Sequence, residues 1–221
     1  MPPVLVTAGF FGLIILEPDF GTAVSMAGTA AIMLFACGTR ILHLFLLAAM
    51  AVPVFGAMVW LEPYRMERIL SFLNPWADPM NTGWNIIQSL LAIGSGGLFG
   101  LGLGSSRQKF FYLPEQHTDF IFAILAEELG FLGTVVTLFL FFVLAWRGFR
   151  IALRATDLFG CFLAVGTVSM IILQAVLNIG VVSGILPVTG VTLPFVSFGS
   201  SSMVITLAGV GILLNISKQI K

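Results

Sequence analysis

The chain has 221 residues, of which 58% are hydrophobic and only 9% charged, against roughly 25% charged in an ordinary soluble domain. This excludes a soluble globular protein and makes lipid the solvent for most of the chain. Ten Lys and Arg balance ten Asp and Glu, so no basic excess points to nucleic acid and no acidic excess to a disordered tail.

A helix needs about 20 apolar residues to cross the hydrocarbon core. In chain order the apolar runs are 4–16, 20–38, 41–60, 120–146, 158–186 and 203–216. They predict an all-α, polytopic integral membrane protein with five to six transmembrane helices. The runs form one membrane domain, 1–221, with a large external Gly-rich loop over 61–118. The first run begins almost at Met1, stops at Glu17-Pro18-Asp19, and lacks the basic start and cleavage site of a signal peptide. It reads as a half-span or the remnant of a longer helix, with the N-terminus cut. Cys37 and Cys161 lie in apolar runs without metal or disulfide spacing and read as buried small hydrophobes.

Residues 61–118 far exceed the ~12–15 at which a structureless loop becomes unusual unless it has a function. The segment opens with a mixed-charge, Pro-punctuated stretch containing Arg65 and Arg68, equally suited to pairing with Glu62 and Glu67 or to holding phosphate. It continues through a short amphipathic run to Gly94–Gly104, where six of eleven residues are glycine. No register fits G-x-G-x-x-G, so these glycines predict a membrane-surface loop rather than a dinucleotide site. Arg107, Lys109, Glu115, His117 and Asp119 then gather charge just before the next apolar run.

Asp119 stands where a helix N-cap would, a position that favours an anion, yet a cap needs no neighbouring imidazole or cations. Glu127 and Glu128 lie inside the following span, where ionisable groups are expensive and face a partner or a cavity. Their ~100° offset predicts that they do not share one. Gln174 and Asn178 occupy one helix face and read as interhelical hydrogen-bonding groups. The stretch 194–198 extends the last run backwards if it forms a broken or re-entrant helix. His43 and His117 fall on opposite sides of the membrane and make no metal site, and Ser106-x-x-Lys109 stands without the companion motifs of penicillin-binding proteins.

Loop charges orient the chain, because Lys and Arg are retained on the cytoplasmic side. One side receives Arg40, Arg147, Arg150, Arg154, Lys218 and Lys221 against Asp157 alone, and is assigned to the cytoplasm. The other receives Glu17, Asp19 and the charged segment ending at Asp119. Asp119 is thereby placed on the external face.

The run GSGGLFGLGLGSSRQKFFYLPEQHTDFIFAILAEELGFLG, from Gly94 to Gly133, resembles the hallmark of the SEDS family of FtsW, RodA and SpoVE proteins. Glu17-Pro-Asp-Phe-Gly-Thr-Ala23 is similar to the family's Q-P-D-L-G-T-A. Asn178-Ile-Gly-Val, Leu186-Pro-Val-Thr-Gly190 and Leu193-Pro-Phe-Val-Ser-Phe-Gly199 are similar to its C-terminal signature, with Ser200 where a second glycine is usual. The RQKFFYLPE form leans towards the division and sporulation branch. The family has about ten helices, of which this chain supplies the last five or six.

The resemblance implies a peptidoglycan glycosyltransferase that polymerises lipid II, the undecaprenyl-linked disaccharide precursor, at the outer face of the bacterial cytoplasmic membrane. By the same analogy Asp119 is the general base. Arg107, Lys109, Glu115, His117, Arg65, Arg68, Ser200 and Ser201 become candidate substrate contacts. No resident cofactor is implied, although a divalent metal, Mg or Mn, on the diphosphate stays open. The implied partners are lipid II, membrane lipid and a class B penicillin-binding transpeptidase. Two other readings remain beside it, a flippase of the same lipid-linked precursor and an inactive scaffold for a transpeptidase. A flippase needs polar groups along the depth of the bundle, whereas here they collect at one face, which favours the polymerase.

Overall fold

The computed structural model describes residues 2–16, 19–106 and 118–220. Each of the six apolar runs becomes a helix: α1 (Pro2–Leu16), α2 (Phe20–Ala36), α3 (Ile41–Leu61), α6 (Ile121–Arg154), α7 (Leu158–Val182) and α8 (Ser200–Gln219). Two shorter helices, α4 (Pro63–Leu73) and α5 (Trp84–Ser95), fold the segment between α3 and α6. Among the described residues all regular structure is helical, as the absence of water around a lipid-facing backbone requires.

Local chemistry sets several boundaries. Asp19 caps α2 by accepting the Thr22 N–H at 3.0 Å, and Asp157 caps α7 by accepting the Gly160 N–H at 2.9 Å. Pro63 opens α4 at a first-turn position where its missing N–H costs nothing. α6, α7 and α8 are long and apolar enough to span a membrane, while α2 and α3 carry the shorter apolar stretches Gly21–Ala36 and Ile41–Pro53.

α7 is the central helix and touches α2, α5, α6 and α8. Small residues let it approach its neighbours, as expected where lipid supplies no hydrophobic drive between helices. A Cβ on Gly148 of α6 would lie 2.3 Å from Val168 Cγ2, and one on Gly166 of α7 would lie 2.9 Å from Met33 Sδ of α2. The outward faces are apolar: Phe131, Leu132, Val136, Phe139, Leu140 and Phe142 of α6 are all exposed in the isolated chain. Lipid is the medium that such a face suits.

The buried core divides between the two ends of the bundle. Ala152, Ala164, Val165, Val168, Leu213 and Ile216 cluster at the end carrying Arg147, Arg150 and Arg154. Phe120, Phe122, Ala123, Ala175, Val182 and Leu193 cluster at the other. α5 is tied to this second cluster by Ser89, fully buried, whose hydroxyl donates to the Val182 carbonyl at 2.5 Å.

Two expectations change. Residues 194–198 form turns rather than a broken helix, and α8 begins at Ser200, because Gly190, Pro194 and a left-handed Phe195 interrupt helical geometry. Cys37 is exposed at the C-cap of α2, and Cys161 is only half-buried.

Candidate functional site

The non-helical segment 183–199 joins α7 to α8 and collects contacts from four parts of the chain. Gly21, at the start of α2, sits so close that a Cβ there would lie 2.3 Å from Val191 Cγ2 and 2.5 Å from the Thr189 carbonyl oxygen. Arg68 of α4 donates through Nη1 to the Val188 carbonyl at 3.2 Å, while Nη2 donates to the Tyr64 hydroxyl. Asn178 of α7 donates to the carbonyls of Asp119 and Val191, both at 2.7 Å. Ser197 donates to the Thr118 carbonyl at 2.6 Å.

Asp119 is therefore brought against the C-terminal motif, on which Gly21 of the first motif also packs. Its Oδ2 lies 3.7 Å from the position a Cβ would take on Gly190, whose φ of 75° also favours glycine. The N-cap of α6 is Phe120, without a side-chain cap bond. Asp119 precedes the cap, so its carboxylate does not hold the position that would explain it as a helix cap.

The glycine-rich stretch has a role that composition left open. α6 is broken at Gly130, where φ is 67° and ψ is −165°. That break frees backbone groups inside an apolar helix, where each needs a partner. The glycine stretch supplies them: Leu101 and Gly102 donate to the carbonyls of Glu127 and Glu128 at 3.0 and 3.1 Å, and the carbonyls of Gly97 and Leu98 accept from Phe131 and Leu132 at 2.8 and 3.2 Å. Residues 97–102 lie largely exposed, as a surface loop, and in addition repair the broken helix through backbone pairing.

Glu127 and Glu128 are also drawn together. Ser106, fully buried, donates its hydroxyl to Glu127 Oε2 and its backbone N–H to Glu128 Oε1 at 3.3 Å. Their ~100° offset is bridged because two different groups of one residue face them. Each thus meets Ser106, which directly follows the glycine-rich stretch.

Arg65 and Arg68 are both half-buried on α4. Arg68 stacks its guanidinium 4.5 Å from the centre of the Tyr64 ring and reaches the 183–199 segment, a contact that sequence spacing did not suggest. Ser200 and Ser201 are exposed in the first turn of α8. Ser200 shares a groove with Ser197, Phe198, Met203 and Ile121, the last of these two residues along the chain from Asp119. Glu17, Arg107, Lys109, Glu115, His117 and Lys221 lie outside the described residues.

Sequence reasoning missed the roles of Ser197 and Gly190 and took Asn178 for a helix-to-helix group. A buried amide in an apolar helix was the visible signal; its acceptors, two backbone carbonyls from separate segments, were not. The glycine at position 21 is likewise explained only by the fold. Gly21→Ala is expected to cost about 1–3 kcal/mol by overpacking and to lower the thermal midpoint of the purified protein by several degrees; an unchanged midpoint would show that Val191 and Thr189 yield freely.

Residues 1–221 match the family described as Cell cycle protein, FtsW/RodA/SpoVE. The chain is 55% identical over 218 residues to stage V sporulation protein E of Bacillus subtilis, covering 99% of this chain and 60% of that protein. It is 47% identical over 220 residues to a probable peptidoglycan glycosyltransferase FtsW of Geobacter metallireducens, covering 100% and 59%. A chain from a solved structure concerning polymerization and crosslinking by a peptidoglycan synthase complex matches with a TM-score of 0.81 and 36% identity, over 99% of this chain and 61% of that one. The crystal structure of the rod shape determining protein RodA of Thermus thermophilus matches with a TM-score of 0.65 and 33% identity, over 99% and 56%. The chain thus spans about 60% of the length of these curated relatives. With its three motifs meeting at one end of a bundle of apolar helices, the chain is a multi-pass membrane protein that belongs to the SEDS family, on the FtsW and SpoVE side.

Proposed function

We propose that the protein containing this chain is a peptidoglycan glycosyltransferase that polymerises lipid II into glycan strands on the outer face of the bacterial cytoplasmic membrane. The observation that carries this reading is the meeting of Asp119 with Gly190 and Asn178, at the end of the bundle away from Arg147, Arg150 and Arg154. The loop charges make that end external, the side on which the acceptor and donor sugars are used.

Asp119 acts as general base. It takes the proton from the 4-hydroxyl of the acceptor sugar as the oxygen attacks the donor's anomeric carbon. The bond from that carbon to the lipid diphosphate breaks with inversion, and the diphosphate leaves with the electron pair. Departing charge needs donors fixed in advance. Arg68 is half-buried and already oriented by Tyr64 and Val188, bonds that engage two of the five donors on a guanidinium. Arg65, Ser200, Ser201, Arg107, Lys109, Glu115 and His117 are the further proposed substrate contacts. No resident cofactor enters this scheme, and a divalent ion, Mg or Mn, would arrive with the diphosphate. A class B penicillin-binding transpeptidase is the proposed partner, taking the new strand into crosslinks.

A flippase is less well supported, because Glu127 and Glu128, the acidic groups of α6, are both engaged by Ser106. The test is to reconstitute the full-length protein in vesicles with fluorescent lipid II. The polymerase reading expects long glycan strands on gels that disappear on muramidase digestion. Transbilayer movement of the label without polymer would overturn it in favour of the flippase.

A further inference from the structure

A residue's backbone has two soft dihedrals between two planar peptide groups. Holding both flanking peptides therefore fixes the direction of its Cα–Cβ bond. At Asp119 the preceding peptide is held through the Thr118 carbonyl, which accepts from Ser197 at 2.6 Å. The following peptide is held through the Asp119 carbonyl, which accepts from Asn178 at 2.7 Å.

Both holding side chains are buried, Asn178 at 1% exposed and Ser197 at 8%. Each is in turn fixed by a second bond to the 183–199 segment. Asn178 also donates to the Val191 carbonyl at 2.7 Å, and Ser197 also accepts the Leu193 N–H at 2.7 Å. The amide orientation of Asn178 is determined, since turning it over would set an oxygen against two carbonyl oxygens. Its Oδ1 is buried with no hydrogen-bond partner among the described residues. An amide kept at the expense of a buried, unsatisfied acceptor indicates that its two donor bonds are what the site requires.

We infer that Asn178 and Ser197 are positioning residues that aim the Asp119 carboxylate by clamping the two peptides on either side of it. This rests on the reading of Asp119 as general base. A base must lie within hydrogen-bond reach of the proton that it removes, and a misplacement of about 1 Å costs on the order of 100-fold in rate. Releasing either clamp lets the Asp119 backbone rotate without changing the carboxylate itself or the surfaces that bind the sugars.

The test measures glycan-strand synthesis from labelled lipid II by the full-length protein, at saturating and limiting substrate, normalised to folded protein. Asn178→Ala is expected to lower kcat by about 10- to 100-fold, with KM within about threefold of wild type. Ser197→Ala, which also removes two bonds but deletes a single atom and is the milder probe of the fold, is expected to lower kcat by about 10-fold. Ser197→Thr keeps the hydroxyl and is expected to restore most of the rate. Ser89→Ala removes a comparably buried hydroxyl-to-carbonyl bond that holds neither peptide of Asp119, and is expected to lower thermal stability while leaving kcat per folded molecule unchanged.

If Asn178→Ala and Ser197→Ala lose stability as Ser89→Ala does but retain wild-type kcat, the two residues are structural only and the inference is overturned. An Asp119→Asn variant measured alongside separates the two levels of the reading. An inactive Asp119→Asn with fully active Asn178→Ala and Ser197→Ala sinks the positioning role alone, whereas a fully active Asp119→Asn sinks the general-base reading beneath it.

Discussion

Replacing Asp119 by Asn in the full-length protein is expected to lower the rate of glycan-strand synthesis by about 100-fold or more, the contribution typical of a positioned general base. The substitution keeps the shape of the side chain and removes its negative charge and its capacity to take a proton. The bond from Asn178 is received by the backbone carbonyl of Asp119 and survives the change. No helix cap is lost either, because the cap position of α6 belongs to Phe120. Insertion into the membrane and the thermal midpoint should therefore stay close to wild type, which separates a lost reaction from a lost fold.

Asp119→Glu makes the complementary point. The longer side chain moves its carboxylate from a place beside Gly190, where a Cβ would lie 3.7 Å from Oδ2. A charge that is retained but moved is expected to recover little of the rate. Undiminished polymerisation by Asp119→Asn, measured on purified protein with labelled lipid II, would remove this residue from the chemistry.

Gly130→Ala is expected to have the largest effect on folding. At φ 67° and ψ −165° the residue occupies a region open essentially to glycine alone, and a side chain there stores about 1–3 kcal/mol of strain. Space makes matters worse, since a Cβ would lie 2.3 Å from the Gly100 nitrogen and 2.8 Å from the Leu98 carbonyl. Both contacts are backbone, so no side chain can rotate away. Relief requires the glycine-rich connection to withdraw, and four pairings at the break depend on its position. Each buried group left without a partner costs about 1–3 kcal/mol more. The measurable result is a sharp fall in the yield of folded monomer in detergent and a clear drop in thermal midpoint. A Gly130→Ala protein with wild-type yield and midpoint would show that the helix does not need this break.

Much of the architecture was legible in the chain because lipid imposes a simple rule. A lipid-exposed backbone must satisfy its own polar groups, so long apolar runs become helices. All six runs do so, and most of their ends fall within a few residues of the hydropathy limits, as at Phe20, Leu61, Ile121 and Ser200, whereas α6 continues well past its apolar run to Arg154. Charge at the loops was equally readable: the residues that mark one face, Arg147, Arg150 and Arg154, stand at one end of α6, and Asp119 stands just before the other.

The connections between runs were harder to read. Six glycines between Gly94 and Gly104 signalled tight turns, but glycine composition says nothing about which distant backbone the turns approach. The partner is a second break, at Gly130, which looked in sequence like part of an uninterrupted span. Likewise the stretch 194–198 could be imagined as broken helix, since Pro and Phe-Ser-Phe fit either state until their neighbours are known. Arg68 was legible as a group for a nearby acid or a phosphate, but not its bond across to the Val188 carbonyl, which no residue type signals.

What the sequence by itself determined, then, was the solvent, the helices and the unequal charge of their two ends, and it marked Asp119 as the candidate base, because these follow from side-chain chemistry and its distribution along the chain. Tertiary structure alone decided how that carboxylate is aimed. The groups that hold it are backbone carbonyls at Thr118 and Asp119, met by Ser197 and Asn178 from segments far along the chain. Every residue carries such a carbonyl, so no residue type advertises which one will be used; only the packing of α7 and the 183–199 segment against the start of α6 makes the choice.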